Sequence, residues 1–130
     1  MSLRVLIVDD SIHFLEAARE LLEREGMAVV GTASTTAEAL SLAKHLQPDV
    51  TLVDIDLGEE SGLDLARQLT GPTVRELSPV ILISAYPEHD LAELIAASPA
   101  IGFMPKARFS ARAILELVGT SDGGDRPGGA

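Results

Sequence analysis

LIVDDS, residues 6–11, runs a branched apolar segment straight into two adjacent carboxylates, Asp9 and Asp10. The apolar run begins near residue 3 and is nearly continuous, which suits a strand covered on both faces, as in a parallel sheet. Runs of the same kind recur at residues 27–30, 50–53, 80–83 and, more weakly, 101–104. Helical spacing fills the intervals. Phe14, Leu15, Ala18, Leu21 and Leu22 share one face of a first helix that should stop near Gly26, a C-terminal cap. A second begins at Thr35, with Glu38 three residues on as a capping box, turns Leu40 and Ala43 inward, and is closed by Pro48. Further helices are expected at about 61–69, 88–97 and 110–118. The repeated strand–helix order predicts an α/β fold, a doubly wound five-stranded parallel sheet with right-handed crossovers.

Composition bounds the function. At 130 residues the chain is one domain. It has no cysteine, so disulfides and thiolate metal sites are excluded and a reducing cytoplasmic setting is expected. No apolar run approaches membrane-spanning length, and the N-terminus lacks a signal-peptide pattern. A formal charge of -10 and a pI near 4.6 oppose direct binding to nucleic acid or anionic membrane. The domain is expected to occupy residues 1–118. The remainder, GTSDGGDRPGGA at 119–130, has little to bury and is expected to be a disordered glycine-rich tail or linker.

In an open α/β sheet, functional groups collect beyond the carboxyl ends of the strands, near the point where strand order reverses. Those ends carry Asp9 and Asp10 after the first strand, Asp54 and Asp56 around the end of the third, Ser84 after the fourth and Lys106 after the fifth. Two unit charges about 4 Å apart interact by roughly 4 kcal/mol at an effective dielectric of about 20, so converging carboxylates resist ionisation without a cation. Oxygen donors without histidine or cysteine suit Mg2+, with Mn2+ as an alternative. The paired acids are therefore read as a metal seat.

LIVDDS, LVDIDLGEESGLDLA (52–66), VILISAY (80–86) and GFMPK (102–106) together resemble the receiver domain of bacterial two-component response regulators, over residues 3–118. Each motif is weak alone; four in order at the right strand ends are specific. The resemblance implies a flavodoxin-like (βα)5 fold with strand order 2-1-3-4-5. It implies Asp54 as phosphoacceptor, Asp9 and Asp10 as Mg2+ ligands together with Asp54, and Asp56 lending its backbone carbonyl to the ion. Ser84 would hydrogen-bond the phosphoryl group, Lys106 would pair with its charge, and Phe103 would be the aromatic that turns inward on activation. A histidine kinase or phosphotransfer protein would be the partner. The face of helix 4, strand 5 and helix 5 would switch, with a homodimer through that face as one use of it. No independent substrate turnover is implied.

The sequence departs from the family in places. Gly58 stands where many members carry proline, so a more mobile loop is expected, and Ala107 follows Lys106 where many have proline after a cis bond. GFMPKARFS, residues 102–110, nevertheless resembles receivers of the nitrate-response type. Asp56 and Tyr86, each two residues past a site residue, would influence dephosphorylation.

Taken singly, each of these residues has a plainer explanation. Adjacent acids after a strand are commonly a solvated turn or helix cap, a lone serine a cap, a lone lysine a surface cation and a lone phenylalanine core. His13, His45 and His89 are read as solvated or capping, and Glu59 and Glu60 as a solvated loop. Convergence on one sheet edge outweighs these readings. Two rivals stay open. VDID also resembles the nucleophile motif of haloacid-dehalogenase-type phosphatases, although that motif normally opens the chain and the length leaves no room for a cap. The other rival is a receiver-like binding module that does not use phosphate. A flavin site is unsupported, since aromatic residues are 3% of the chain and no phosphate-cradling glycine loop is present.

Overall fold

The alternation of side chains along β1 (Arg4–Val8) assigns the helices to the two faces of the sheet. Successive strand residues point to opposite sides. Val5 and Ile7 join one core cluster with Leu15, Ala18, Leu22 and Ile114, whereas Leu6 and Val8 join another with Ala39, Ala43, Leu65 and Leu69. The computed structural model describes residues 2–70 and 79–125, of which 120–125 by their backbone alone.

Helix α1 (Ile12–Arg24) starts where the Ser11 hydroxyl accepts the Phe14 N–H and ends before Gly26, whose φ of +96° is the left-handed cap expected from sequence. It is followed by β2 (Ala28–Ala33), α2 (Thr36–Leu46) and β3 (Val50–Asp54). Next come α3 (Gly62–Thr70), β4 (Val80–Ser84), α4 (Ala92–Ala96), β5 (Gly102–Pro105) and α5 (Ala111–Asp125). The five strands form one parallel sheet in the order β2-β1-β3-β4-β5. This is the expected doubly wound fold. Helices α1 and α5 cover one face and α2 and α3 the other.

Several boundaries differ from expectation. The second strand runs on through Gly31, Thr32 and Ala33, because those residues pair with Leu6, Ile7 and Val8 of β1. The single helix expected at 88–97 is instead a 3-10 turn, Glu88–Asp90, followed by the five-residue α4. None of its residues is fully buried; Ile95 is half-buried against the core, and so short a helix depends on such packing. The last helix continues past residue 118, where a tail was expected, through Asp125; once a helix is nucleated, each added residue gains a backbone hydrogen bond. Residues 126–130 lie outside the described residues.

Between β3 and α3 lies an antiparallel pair of two-residue strands, Asp56–Leu57 with Glu60–Ser61, absent from the sequence reading. Gly58 makes its turn at φ +73°, a conformation that the fixed ring of proline forbids. Glu60 is more than a solvated loop residue, since its Oε1 accepts the Thr36 N–H at 2.7 Å and ties this hairpin to the start of α2.

Candidate functional site

Parallel register sets the site. Val8 lies opposite Val53, so one step further on Asp9 stands level with Asp54. Asp54 is paired with Ile83, and Ile83 with Met104, while Ser84 is paired with Pro105 one step later. Asp9, Asp54, Ser84 and Lys106 thus gather at one sheet edge beside the β1–β3 boundary, where the strand order reverses. Parity adds direction. Val50 and Leu52 belong to the α1/α5 side of the core, so Asp54 extends that side, and Met104 two residues before Lys106 does the same.

Lys106 Nζ lies 2.6 Å from Asp9 Oδ2 and 3.0 Å from Asp54 Oδ2. Asp9 is fully buried, Asp54 is 6% exposed and Ser84 2% exposed; Asp10 is exposed. The remaining carboxylate oxygens face backbone donors: Asp9 Oδ1 accepts the Ser11 N–H at 2.8 Å and Asp54 Oδ1 accepts the Asp56 N–H at 3.0 Å. Ser84 Oγ accepts the Tyr86 N–H at 3.0 Å, which leaves its own O–H available as a donor. Burial pushes the Asp54 carboxyl up to about 6; the Asp56 N–H and Lys106 oppose this, and the Asp9 charge adds to it. Burial lowers the Lys106 ammonium, but its pairing with the Asp9 and Asp54 carboxylates outweighs this and holds it above its ordinary value.

The donor set fits a hard divalent cation. One carboxylate oxygen from each of Asp9, Asp10 and Asp54 lies within 4.8 Å of the others. Buried Asp9 Oδ2 makes an ion pair with Lys106 yet no well-directed hydrogen bond, so it retains lone-pair capacity. All donors are oxygens, as Mg2+ prefers.

Two glycines shape the surroundings. A Cβ on Gly62 would lie 1.8 Å from the Asp54 carbonyl oxygen, so only glycine lets α3 begin this close to the end of β3. A Cβ on Gly58 would come within 3.2 Å of Asp10 Oδ2. After Lys106 the chain makes a single 3-10 turn, Lys106–Arg108, with Ala107 inside it.

The other candidates are placed as follows. Phe103 is 9% exposed, in the core cluster that also holds Leu91 and Ile95. Asp56 is exposed, and its Oδ1 accepts the Gly58 N–H at 3.1 Å. Tyr86 is 60% exposed. His13 is exposed; His45 Nδ1 lies 2.8 Å from the Ser41 carbonyl within its own helix, and His89 forms an exposed contact with Asp90. The helical spacing puts Phe14 on the apolar face of α1; its ring also lies under Lys106 Nζ, 4.4 Å from the ring centroid. Helical spacing alone carries no signal for this, because the lysine comes from 92 residues further along the chain.

The chain is thus a (βα)5 domain with buried acids, a hydroxyl and an ammonium at the carboxyl edge of its sheet. The chain belongs to the response regulator receiver domain family, which it matches over residues 5–118. It is 28% identical over 103 residues to the transcriptional regulatory protein PdtaR of Mycobacterium tuberculosis, covering 79% of this chain and 49% of that protein. It is 33% identical over 109 residues to a protein-glutamate methylesterase/protein-glutamine glutaminase of Alkalilimnicola ehrlichii, covering 82% of this chain and 27% of that one. The chain therefore spans half or less of the length of these relatives. Among solved structures, the signal receiver domain of the putative response regulator NarL from M. tuberculosis superposes with a TM-score of 0.77 at 29% identity, covering 90% of this chain and 96% of that one. A CheY-like receiver domain from Methanospirillum hungatei gives 0.74 at 25% identity, covering 93% and 94%. Receiver membership favours neither the phosphatase nor the phosphate-independent rival. Among the described residues, no helix is long and apolar enough to cross a membrane.

Proposed function

We propose that this domain is a phosphorylation-dependent signalling receiver that takes a phosphoryl group on Asp54 from a partner histidine kinase or phosphotransfer protein. The observation that carries the reading is the Asp9–Lys106–Asp54 arrangement, in which one ammonium lies 2.6 Å and 3.0 Å from two buried acids. Mg2+ would be held by Asp9, Asp10, Asp54 and the Asp56 backbone carbonyl, and when bound would neutralise charge on the acids and on the transferring group. Mn2+ would suit the same donors.

Asp54, ionised near neutral pH, attacks phosphorus; the new P–O bond forms as the P–N bond to the donor histidine breaks, and the departing imidazole keeps the electron pair and takes up a proton. Lys106 pairs with the equatorial oxygens. Ser84, whose Oγ already accepts from Tyr86, donates its O–H to one of them. Both residues draw on the loops after β4 and β5, so modification biases the face of α4, β5 and α5, with Phe103 packing differently in the two states. That face would contact an output partner or a second copy of the domain. Asp56 and Tyr86 flank the acceptor and would influence how long the phosphoryl group lasts. The domain acts in the cytoplasm, assists its own modification without turning over an independent substrate, and binds no nucleic acid or membrane itself. Residues 1–118 would form the receiver, with the chain beyond as a linker that begins as the continuation of α5.

Intact mass after incubation with acetyl phosphate tests this. The native chain should gain one Mg2+-dependent phosphoryl adduct that Asp54→Asn lacks. Absence of any adduct, with Mg2+ binding separately established, would instead favour the phosphate-independent binding module; rapid turnover of a model phosphate ester would favour the phosphatase.

A further inference from the structure

Lys106 carries a compact charge on a flexible four-carbon stem, at the start of one 3-10 turn. Two acids lie in front of it, and Phe14 lies behind. Its Nζ is 4.4 Å from the Phe14 ring centroid, within the range at which a ring face attracts a cation. Phe14 is itself fixed twice. Its N–H is donated to Ser11 Oγ in the first turn of α1, and its ring meets Phe109 edge-on at 5.2 Å and 75°. Phe109 closes the turn that Lys106 opens, its N–H donated to the Lys106 carbonyl at 3.3 Å. One ring of α1 is thus in contact with both ends of the β5–α5 turn.

We infer that Phe14 is a positioning residue for Lys106, its ring face holding the ammonium at the acids and letting it move onto the phosphoryl oxygens without losing its partner. This rests on the receiver function proposed above and adds a group to it. Attraction to a ring face has no directional donor–acceptor geometry to break, so it persists while the ammonium moves within about 6 Å of the centroid. A carboxylate in that place would compete with the phosphoryl group; an aliphatic side chain would fill the space and leave the cation unguided. Phe109 then transmits the position of the ring to the start of α5.

The test compares Phe14→Tyr, which keeps the ring face, with Phe14→Leu and Phe14→Met, which keep apolar bulk without it, each checked for native circular dichroism. The Mg2+-dependent rate of modification by acetyl phosphate should fall about three- to tenfold in Leu and Met and stay within about twofold of wild type in Tyr. In a Lys106→Ala background, Phe14→Leu should cause no further loss. Independently of phosphorylation, the Lys106 ε-methylene protons should be displaced upfield by the ring current in wild type and Phe14→Tyr, and lose that displacement in Phe14→Leu. Equal loss of rate in Tyr and Leu, or a Phe14→Leu effect that persists without Lys106, would overturn the inference. A wild-type chain with no ring-current displacement would overturn it while leaving the receiver function intact. A displaced Lys106 signal in a wild-type chain that accepts no phosphoryl group would overturn both.

Discussion

Replacing Asp54 by asparagine should stabilise the metal-free protein, and more so at pH 8 than at pH 5. Asp54 is buried, with Asp9 and Asp10 facing it from the segment after β1, Lys106 from beyond β5, and the Asp56 N–H on its other oxygen. Its carboxyl is held at about 6 against an ordinary 3.8, so the folded chain binds this proton more tightly than the unfolded chain. Stability from this group is therefore full below the ordinary value, falls as pH rises from about 4 to 6, and stays lost above that. The gap corresponds to about 3 kcal/mol at pH 8 and about half of that at pH 5. Asparagine removes the titration but turns an amide toward Lys106, an offset that does not vary with pH. The net gain at pH 8 is thus expected at about 1–2 kcal/mol, and the difference between variant and wild type should shrink by about 1 kcal/mol on going to pH 5. Urea unfolding in EDTA, followed by circular dichroism at both pH values, measures this directly. A wild-type-to-variant difference that is constant with pH, or grows on acidification, would refute the claim that burial and the neighbouring acids disfavour the Asp54 charge.

Other expectations follow from the same geometry. Adding Mg2+ at ten times its Kd should stabilise the native chain by about 1.4 kcal/mol, seen as a rise in thermal midpoint that Asp9→Asn and Asp10→Asn largely lose. Gly62→Ala should cost about 2–3 kcal/mol and slow phosphorylation, because its Cβ, 1.8 Å from the Asp54 carbonyl oxygen, must push the end of β3 aside; unchanged urea midpoint and modification rate would contradict this. Gln47, the only non-glycine residue with positive φ among those described, sits at φ 48° at the end of α2. Gln47→Gly should raise stability by about 1 kcal/mol with phosphorylation unaltered, read from the urea midpoint.

Much of the fold was legible because burial on two faces leaves a strong pattern. The residues of β1, β3 and β4 are buried almost without exception, and continuous branched runs betray such strands. Caps were equally local: Ser11, Thr35 and Gly26 act on backbone groups within a few residues. The Thr35 box carries one change, since the Glu38 carboxylate takes chiefly the Ser34 N–H, at 2.9 Å, with that of Thr35 a weaker partner. Where packing rather than local preference sets the outcome, the reading strayed. The helical pattern at 88–97 has no fully buried residue to sustain it, only Leu91 and Ile95 half-buried against the core, and the 56–61 hairpin depends on a left-handed Gly58 and on the Glu60 contact with Thr36.

Residue types and their order along the chain already specified five two-sided strands, the acids, hydroxyl and amine at their ends, and an oxygen-only donor set. Those are properties of side-chain chemistry and of short-range periodicity. Register decided the rest: that Asp9 and Asp54 stand level, that one ammonium reaches both, that Gly62 alone fits beneath Asp54, and that Phe14 lies under Lys106. Distances of a few ångströms between segments far apart in the chain arise only when the sheet is assembled and its core packed, and neither periodicity nor composition encodes them.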